Sequence, residues 1–124
     1  MDSFRVLFVD DEEELVSTLV ERLGYRGINA EYATNGDGAL EKLRTASYDI
    51  AVIDLKLPGM SGNELIGIVK KSYPNLPVIM ITGHGSNEVE DSEHPNGAFA
   101  YLQKPIDIAT LIKRMKEAIE SNES

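Results

Sequence analysis

Asp10, Asp11, Asp54, Thr82 and Lys104 each stand where an apolar run of the chain stops. Gathered in one place, three carboxylates, a hydroxyl and an ammonium would make an all-oxygen cation site with a hydrogen-bond donor and a counter-charge beside it. Three like charges cannot all stay ionised at close range without a cation, and oxygen donors suit a hard one such as Mg²⁺ or Mn²⁺. Magnesium keeps several waters and usually takes one or two carboxylates together with phosphate oxygens, so the set reads as a place built to receive a phosphoryl group. Lys104 would pair with one phosphoryl oxygen and the Thr82 hydroxyl would bond another. A carboxylate can itself take the group as an acyl phosphate. Asp54 is the best candidate, because it stands alone after its apolar run, whereas Asp10 and Asp11 have the doublet form of metal ligands.

Whether these residues meet depends on the elements that carry them. Residues 6–9, 50–53 and 78–81 are short apolar runs, the pattern of strands buried on both faces of a parallel sheet. Residues 29–33 and 98–102 are two further strand candidates. Between them the period changes. Leu15, Val16, Leu19, Val20 and Leu23 fall at three- and four-residue steps and predict one apolar helix stripe, with acids crowding its first turn and Gly24 or Gly27 to end it. Ala39, Leu40, Leu43 and Ala46 line a second helix, opened by a turn through Asn35, Gly36 and Gly38. Pro58 and Gly59 force a turn after Asp54. Ser61 and Glu64 then form a capping box ahead of Leu65, Ile66, Val69 and Tyr73. Ile108, Leu111, Ile112, Met115 and Ile119 line a last amphipathic helix.

Five strands alternating with helices predict an α/β fold, a doubly wound parallel sheet with right-handed crossovers and helices on both faces. Ligands of such sheets bind beyond the carboxyl ends of the strands, which is where the five residues above fall. One segment breaks the pattern. Residues 86–96 hold Val89 as their one apolar residue, crowd Glu88, Glu90, Asp91 and Glu93 together, and meet Pro95, which turns His94 away from helical angles. The helix that the topology wants there is expected to be short or irregular.

The 124 residues suit a single domain, 1–124, with 121–124 as a frayed polar tail. With 21 acidic against 12 basic residues and a net charge of -9, the chain is a poor partner for a phosphate backbone, so no direct nucleic-acid binding is expected. Cysteine is absent, which excludes disulfides and thiolate metal sites. No apolar run approaches a membrane span and no leader precedes the first strand, so the chain reads as soluble and cytoplasmic.

Four motifs, VDDEEE at the first strand end, VIDLKLPGMSG around Asp54, ITGHG at Thr82 and YLQKP at Lys104, occur in this order on the expected strand ends. Each alone is weak and the four together are highly specific. Over essentially its whole length the chain resembles the response-regulator receiver domains of two-component signalling systems. ITGHG and GAFAYLQKP are most similar to receivers of the nitrogen-regulation type of transcription activator. The resemblance implies the flavodoxin-like strand order 2-1-3-4-5 over five strands. It also implies that Asp54 accepts a phosphoryl group from a sensor histidine kinase, that Asp11 binds Mg²⁺ directly and Asp10 largely through water, and that Asp54 and the Lys56 backbone carbonyl complete the ligands. Thr82 and Tyr101 would form a switch pair, and the Lys104–Pro105 bond would be cis. Lys56 and His84 would modulate the access of water to the acyl phosphate. The output domain or partner stays unnamed, and dimerisation on phosphorylation stays open.

Plainer roles exist for each residue. Asp10 and Asp11 could cap the first helix, Asp54 could bond its own turn, Thr82 could merely end a strand, and Lys104 could be solvated. His84 and His94 lack a third ligand for a metal, and the NGDG run from Asn35 is best read as a turn. Three functions compete: a switch that catalyses only its own phosphorylation and dephosphorylation and is not an enzyme on external substrates, a Mg²⁺-dependent phosphohydrolase, and an interaction module with vestigial acids. A flavin carrier is disfavoured, because its phosphate loop would occupy the place of five consecutive acids.

Overall fold

Five short strands carry the apolar runs: β1 (Arg5–Val9), β2 (Asn29–Ala33), β3 (Ile50–Asp54), β4 (Val78–Thr82) and β5 (Ala100–Gln103). The structure is a computed structural model that describes residues 3–83 and 97–123. The expected short helix at 86–96, with His94, lies outside the described residues, as does His84. All strand pairs are parallel, in the order β2-β1-β3-β4-β5. β3 and β4 are buried at every residue, which is why their sequences show no polar alternation.

Helices α1 (Glu13–Gly24), α2 (Gly36–Thr45), α3 (Gly62–Ser72) and α4 (Ile108–Glu123) cover both faces. Side chains alternate along a strand, so each one feeds two cores. Val6, Phe8, Val52, Ile79 and Ile81 meet Val16 and Leu23 of α1 and Leu111, Met115 and Ala118 of α4 in one apolar cluster. Leu7, Val9, Ile53, Val78 and Met80 join Ala39 and Leu43 of α2 and Leu65, Ile66 and Val69 of α3 in the other. Each valine, leucine, isoleucine, phenylalanine or methionine among them contributes about 1.5–3 kcal/mol of apolar transfer on burial.

The helix starts follow their sequence signals. The Asn35 side chain accepts from the Gly38 N–H at 2.7 Å. Ser61 and Glu64 complete the capping box, with bonds of 3.1 Å and 2.9 Å. Two expectations are corrected. Leu15 is 55% exposed and does not join the α1 stripe, because it sits about 100° of helix rotation before Val16. β5 begins at Ala100 rather than 98, with Ala98 already buried ahead of it. The backbone of α4 is helical through Glu123. Among the described residues no helix is long and apolar enough to cross a membrane.

Away from the carboxyl ends, a polar latch ties β1 and β2 to the segment entering β3. Glu31 accepts from the Tyr48 hydroxyl at 2.7 Å and from Arg5 at 2.9 Å, and the Arg5 guanidinium lies 4.9 Å from the Tyr48 ring centre. Burial first, and then the bond to Glu31, pushes the Tyr48 hydroxyl up to about 12. The same bond, aided by Arg5 and Lys42, holds the Glu31 carboxyl below its ordinary range.

Candidate functional site

The carboxyl ends of β1, β3, β4 and β5 bring Asp10, Asp54, Thr82 and Lys104 to one edge of the sheet. The strand ends are joined beyond the ladder as well. Leu55 N–H donates to the Ile81 carbonyl at 2.7 Å, and Lys104 N–H donates to the Thr82 carbonyl at 2.9 Å. The Lys104–Pro105 peptide bond is cis.

Asp54 is 5% exposed and its two oxygens have separate tasks. Oδ1 accepts from the Lys56 backbone N–H at 3.0 Å, and Oδ2 accepts from Lys104 Nζ at 2.8 Å. Asp10 repeats the arrangement, with Oδ1 bonded by the Glu12 N–H at 3.0 Å and Oδ2 3.1 Å from Lys104 Nζ. The turn role of each aspartate and its place in the cluster are therefore compatible, because the turn takes one oxygen and aims the other. The Asp10 side chain bonds the residue two ahead and does not cap α1, whose N-cap Glu12 has no side-chain cap bond.

The loop after β3 keeps Asp54 in place. Gly59 adopts φ 73°, a left-handed conformation that glycine takes without strain. The chain then returns so closely that a Cβ on Gly62 would lie 2.3 Å from the Asp54 carbonyl oxygen. A backbone bond from Gly62 N–H to the Leu55 carbonyl, at 2.9 Å, closes the loop.

Glu12 is the residue that sequence reasoning missed. One oxygen each of Asp10, Glu12 and Asp54 lies within 4.8 Å of the others, and Lys104 Nζ is 2.5 Å from Glu12 Oε1. It stands two residues from Asp10, where the turn that bonds its N–H brings it back to the same side, and no local sequence signal marks it out from the other acids of the run. Asp11, by contrast, is exposed and is not one of the three convergent carboxylates.

Lys104 offsets only one of three charges, and this shows in the titration of the group. Burial, and then the Asp54 charge, raise the Asp10 carboxyl against the lowering effect of its bonds to Glu12 N–H and Lys104. Burial works against the Lys104 ammonium as well, but its bonds to Asp54, Glu12 and Asp10 outweigh it and hold the lysine above its ordinary range. An oxygen-only donor set with uncompensated negative charge fits a hard divalent cation.

Thr82 is fully buried and its hydroxyl has no hydrogen-bond partner among the described residues. Register places it on the sheet face of Tyr101, since Met80 pairs with Tyr101 and Thr82 with Gln103. Tyr101 is half-buried against the core between the sheet and α2 and α3. The Lys56 side chain is exposed.

The family model of the response regulator receiver domain matches residues 6–116. The chain belongs to the response regulator receiver domain family. This receiver is 34% identical over 122 residues to a putative NtrX-like response regulator of Rickettsia felis, covering 97% of this chain and 26% of that protein. It is 34% identical over 114 residues to the DNA-binding transcriptional regulator NtrC of Escherichia coli K12, covering 92% of this chain and 24% of that one. The receiver thus spans about a quarter of the length of the curated relatives it matches. Among solved structures it superposes on a CheY-like receiver domain protein of Methanospirillum hungatei with a TM-score of 0.87 at 32% identity, covering 97% of this chain and 96% of that one. NtrX of Brucella abortus gives a TM-score of 0.90 at 30% identity, over 98% of this chain and 28% of that one. The NtrX and NtrC names agree with the nitrogen-regulation type expected from ITGHG and GAFAYLQKP.

Proposed function

We propose that this receiver, as one domain spanning 1–124, is a phosphorylation-dependent switch of the cytoplasm whose acceptor is Asp54. The observation that carries the reading is the setting of that carboxylate: at the end of a central buried strand, with one oxygen held by the Lys56 N–H and the other by Lys104. An oxygen of Asp54 attacks the phosphorus of a phosphohistidine on a sensor histidine kinase. An O–P bond forms as the N–P bond breaks, and the electron pair returns to the imidazole. Lys104 pairs with one phosphoryl oxygen and the buried Thr82 hydroxyl donates to another.

Mg²⁺, when bound, supplies positive charge against the phosphoryl oxygens; Asp10, Asp11, Asp54 and the Lys56 carbonyl would hold it. The modified aspartate gains about -1.5 to -2 charge if it behaves as ordinary phosphoresidues do. Thr82 moving toward that charge frees space for Tyr101 to turn inward, which shifts a two-state equilibrium read by an output domain or partner. Water later attacks the phosphorus, the O–P bond to Asp54 breaks, and inorganic phosphate leaves with the carboxylate restored. Lys56 and His84 modulate that step. The domain processes only its own phosphoryl group.

The test is intact-mass analysis of the chain incubated with Mg²⁺ and acetyl phosphate. One added phosphoryl group on the wild type and none on Asp54→Asn is the expected result. No adduct from acetyl phosphate or from a cognate kinase refutes the reading, an adduct that survives in Asp54→Asn moves the nucleophile, and sustained release of phosphate from many external substrates favours a hydrolase.

A further inference from the structure

A lysine ammonium has three N–H donors. Those of Lys104 have three carboxylates within reach: Glu12 Oε1 at 2.5 Å, Asp54 Oδ2 at 2.8 Å and Asp10 Oδ2 at 3.1 Å. Two of these partners are fixed. The side chains of Asp10 and Asp54 are 10% and 6% exposed, and each has its other oxygen tied to a loop N–H. Glu12 differs on every count: its side chain is 58% exposed, it stands at the N-cap of α1 outside the sheet, and it makes the shortest of the three contacts. Lys104 can therefore leave Glu12 without disturbing the ends of β1 or β3.

We propose that Glu12 restrains phosphoryl transfer through Lys104: it holds the lysine ammonium and competes with the arriving phosphoryl oxygen for it. The inference rests on Asp54 being the acceptor. A phosphoryl oxygen that pairs with Lys104 takes a donor direction now occupied by a carboxylate, and Glu12 is the partner that can give way. An ion pair as exposed as this one changes an equilibrium by about 1.5- to 5-fold, so its loss is expected to raise the limiting rate of phosphorylation by that factor.

The experiment follows the full chain by intact mass in saturating Mg²⁺ over a range of acetyl phosphate concentrations. Glu12→Gln removes the charge and keeps the length, while Glu12→Asp keeps the charge and shortens the reach by one methylene. Contact with Lys104 predicts that both variants raise the limiting rate by about 1.5- to 5-fold. It also predicts that Glu12→Gln has no effect in a Lys104→Gln background, as a closed double-mutant cycle requires. A Glu12→Asp protein that behaves as the wild type, or a Glu12→Gln effect that persists without Lys104, overturns the inference and leaves only a general field effect. A second readout needs no phosphorylation: the Lys104 ¹³Cε resonance, assigned with Lys104→Arg, shifts in both Glu12 variants, and an unmoved resonance overturns the contact. Failure of the wild type to take a phosphoryl group removes the Asp54 reading and this inference with it, whereas uptake with unaltered Glu12 variants removes only the latter.

Discussion

Replacing Gly62 by alanine puts a methyl group 2.3 Å from the Asp54 carbonyl oxygen, 2.7 Å from Leu55 Cα and 3.0 Å from the Asp54 carbonyl carbon. All three neighbours are backbone, so no side-chain rotation can relieve the contact, and the loop that carries Asp54 must move. Overpacking of this kind costs about 1–3 kcal/mol. The substitution also reduces the freedom of the unfolded chain, which returns about 0.4–1 kcal/mol, so a net loss of roughly 1–2 kcal/mol is expected. Gly67 supplies an internal control in the same helix: it is exposed, and an added Cβ meets nothing within 4 Å. Gly67→Ala is therefore expected to stabilise by about 0.5–1 kcal/mol, the usual gain of alanine over glycine inside a helix. Urea unfolding followed by far-ultraviolet circular dichroism measures both, and the two variants should move the midpoint in opposite directions. Acetyl phosphate labelling of the same samples should slow for Gly62→Ala and stay unchanged for Gly67→Ala. A Gly62→Ala protein as stable as the wild type would refute the reasoning, because it would mean that α3 does not bear on the Asp54 backbone.

The Glu31 carboxyl is held below its ordinary range, foremost by the Tyr48 hydroxyl, so its stabilisation is present above the unfolded value of 4.5 and is lost as pH falls through the folded value. The stability gap between the wild type and Glu31→Gln should therefore be constant from neutral pH down to about 4.5 and shrink from there as pH falls through the lower folded value; a gap that does not change with acid contradicts the latch. Mg²⁺ at ten times its dissociation constant should stabilise the wild type by about 1.4 kcal/mol in thermal melts, relative to chelator. Asp10→Asn should lose most of that shift, and an equal shift in the variant would take Asp10 out of the proposed cation site.

Much of this fold is legible because the relevant signals are local. Residues 50–53 and 78–81 lack polar alternation since both faces of β3 and β4 are covered, and Ser61 with Glu64 announces α3 by a hydrogen-bond pattern three residues long. The sheet edge follows from topology once the strands are known, and it places Asp10, Asp54, Thr82 and Lys104 without side-chain detail. Glu12 was illegible for the converse reason. Its role depends on a lysine 92 residues away, and nothing in a run of five acids says which ones turn inward. The same limit applies to Asp11, where the doublet suggested convergence and the turn built on Asp10 leaves its neighbour exposed. Leu15 satisfies the step rule yet falls on the flank of α1, since spacing alone does not locate the centre of a stripe.

The distance in sequence between Lys104 and the acids it joins bears on how the protein is made. During synthesis the N-terminal part of a chain emerges first, so β1, β3 and their carboxylates are exposed before the edge strand β5 exists. Until residue 104 arrives, Asp10, Glu12 and Asp54 are like charges without their lysine. Docking of β5 therefore completes the sheet and brings in the ammonium that offsets part of that repulsion in one event. A half-made chain has the Asp54 carboxylate but not the ammonium that pairs with it, and so the proposed site is assembled only when the last of the described strands docks.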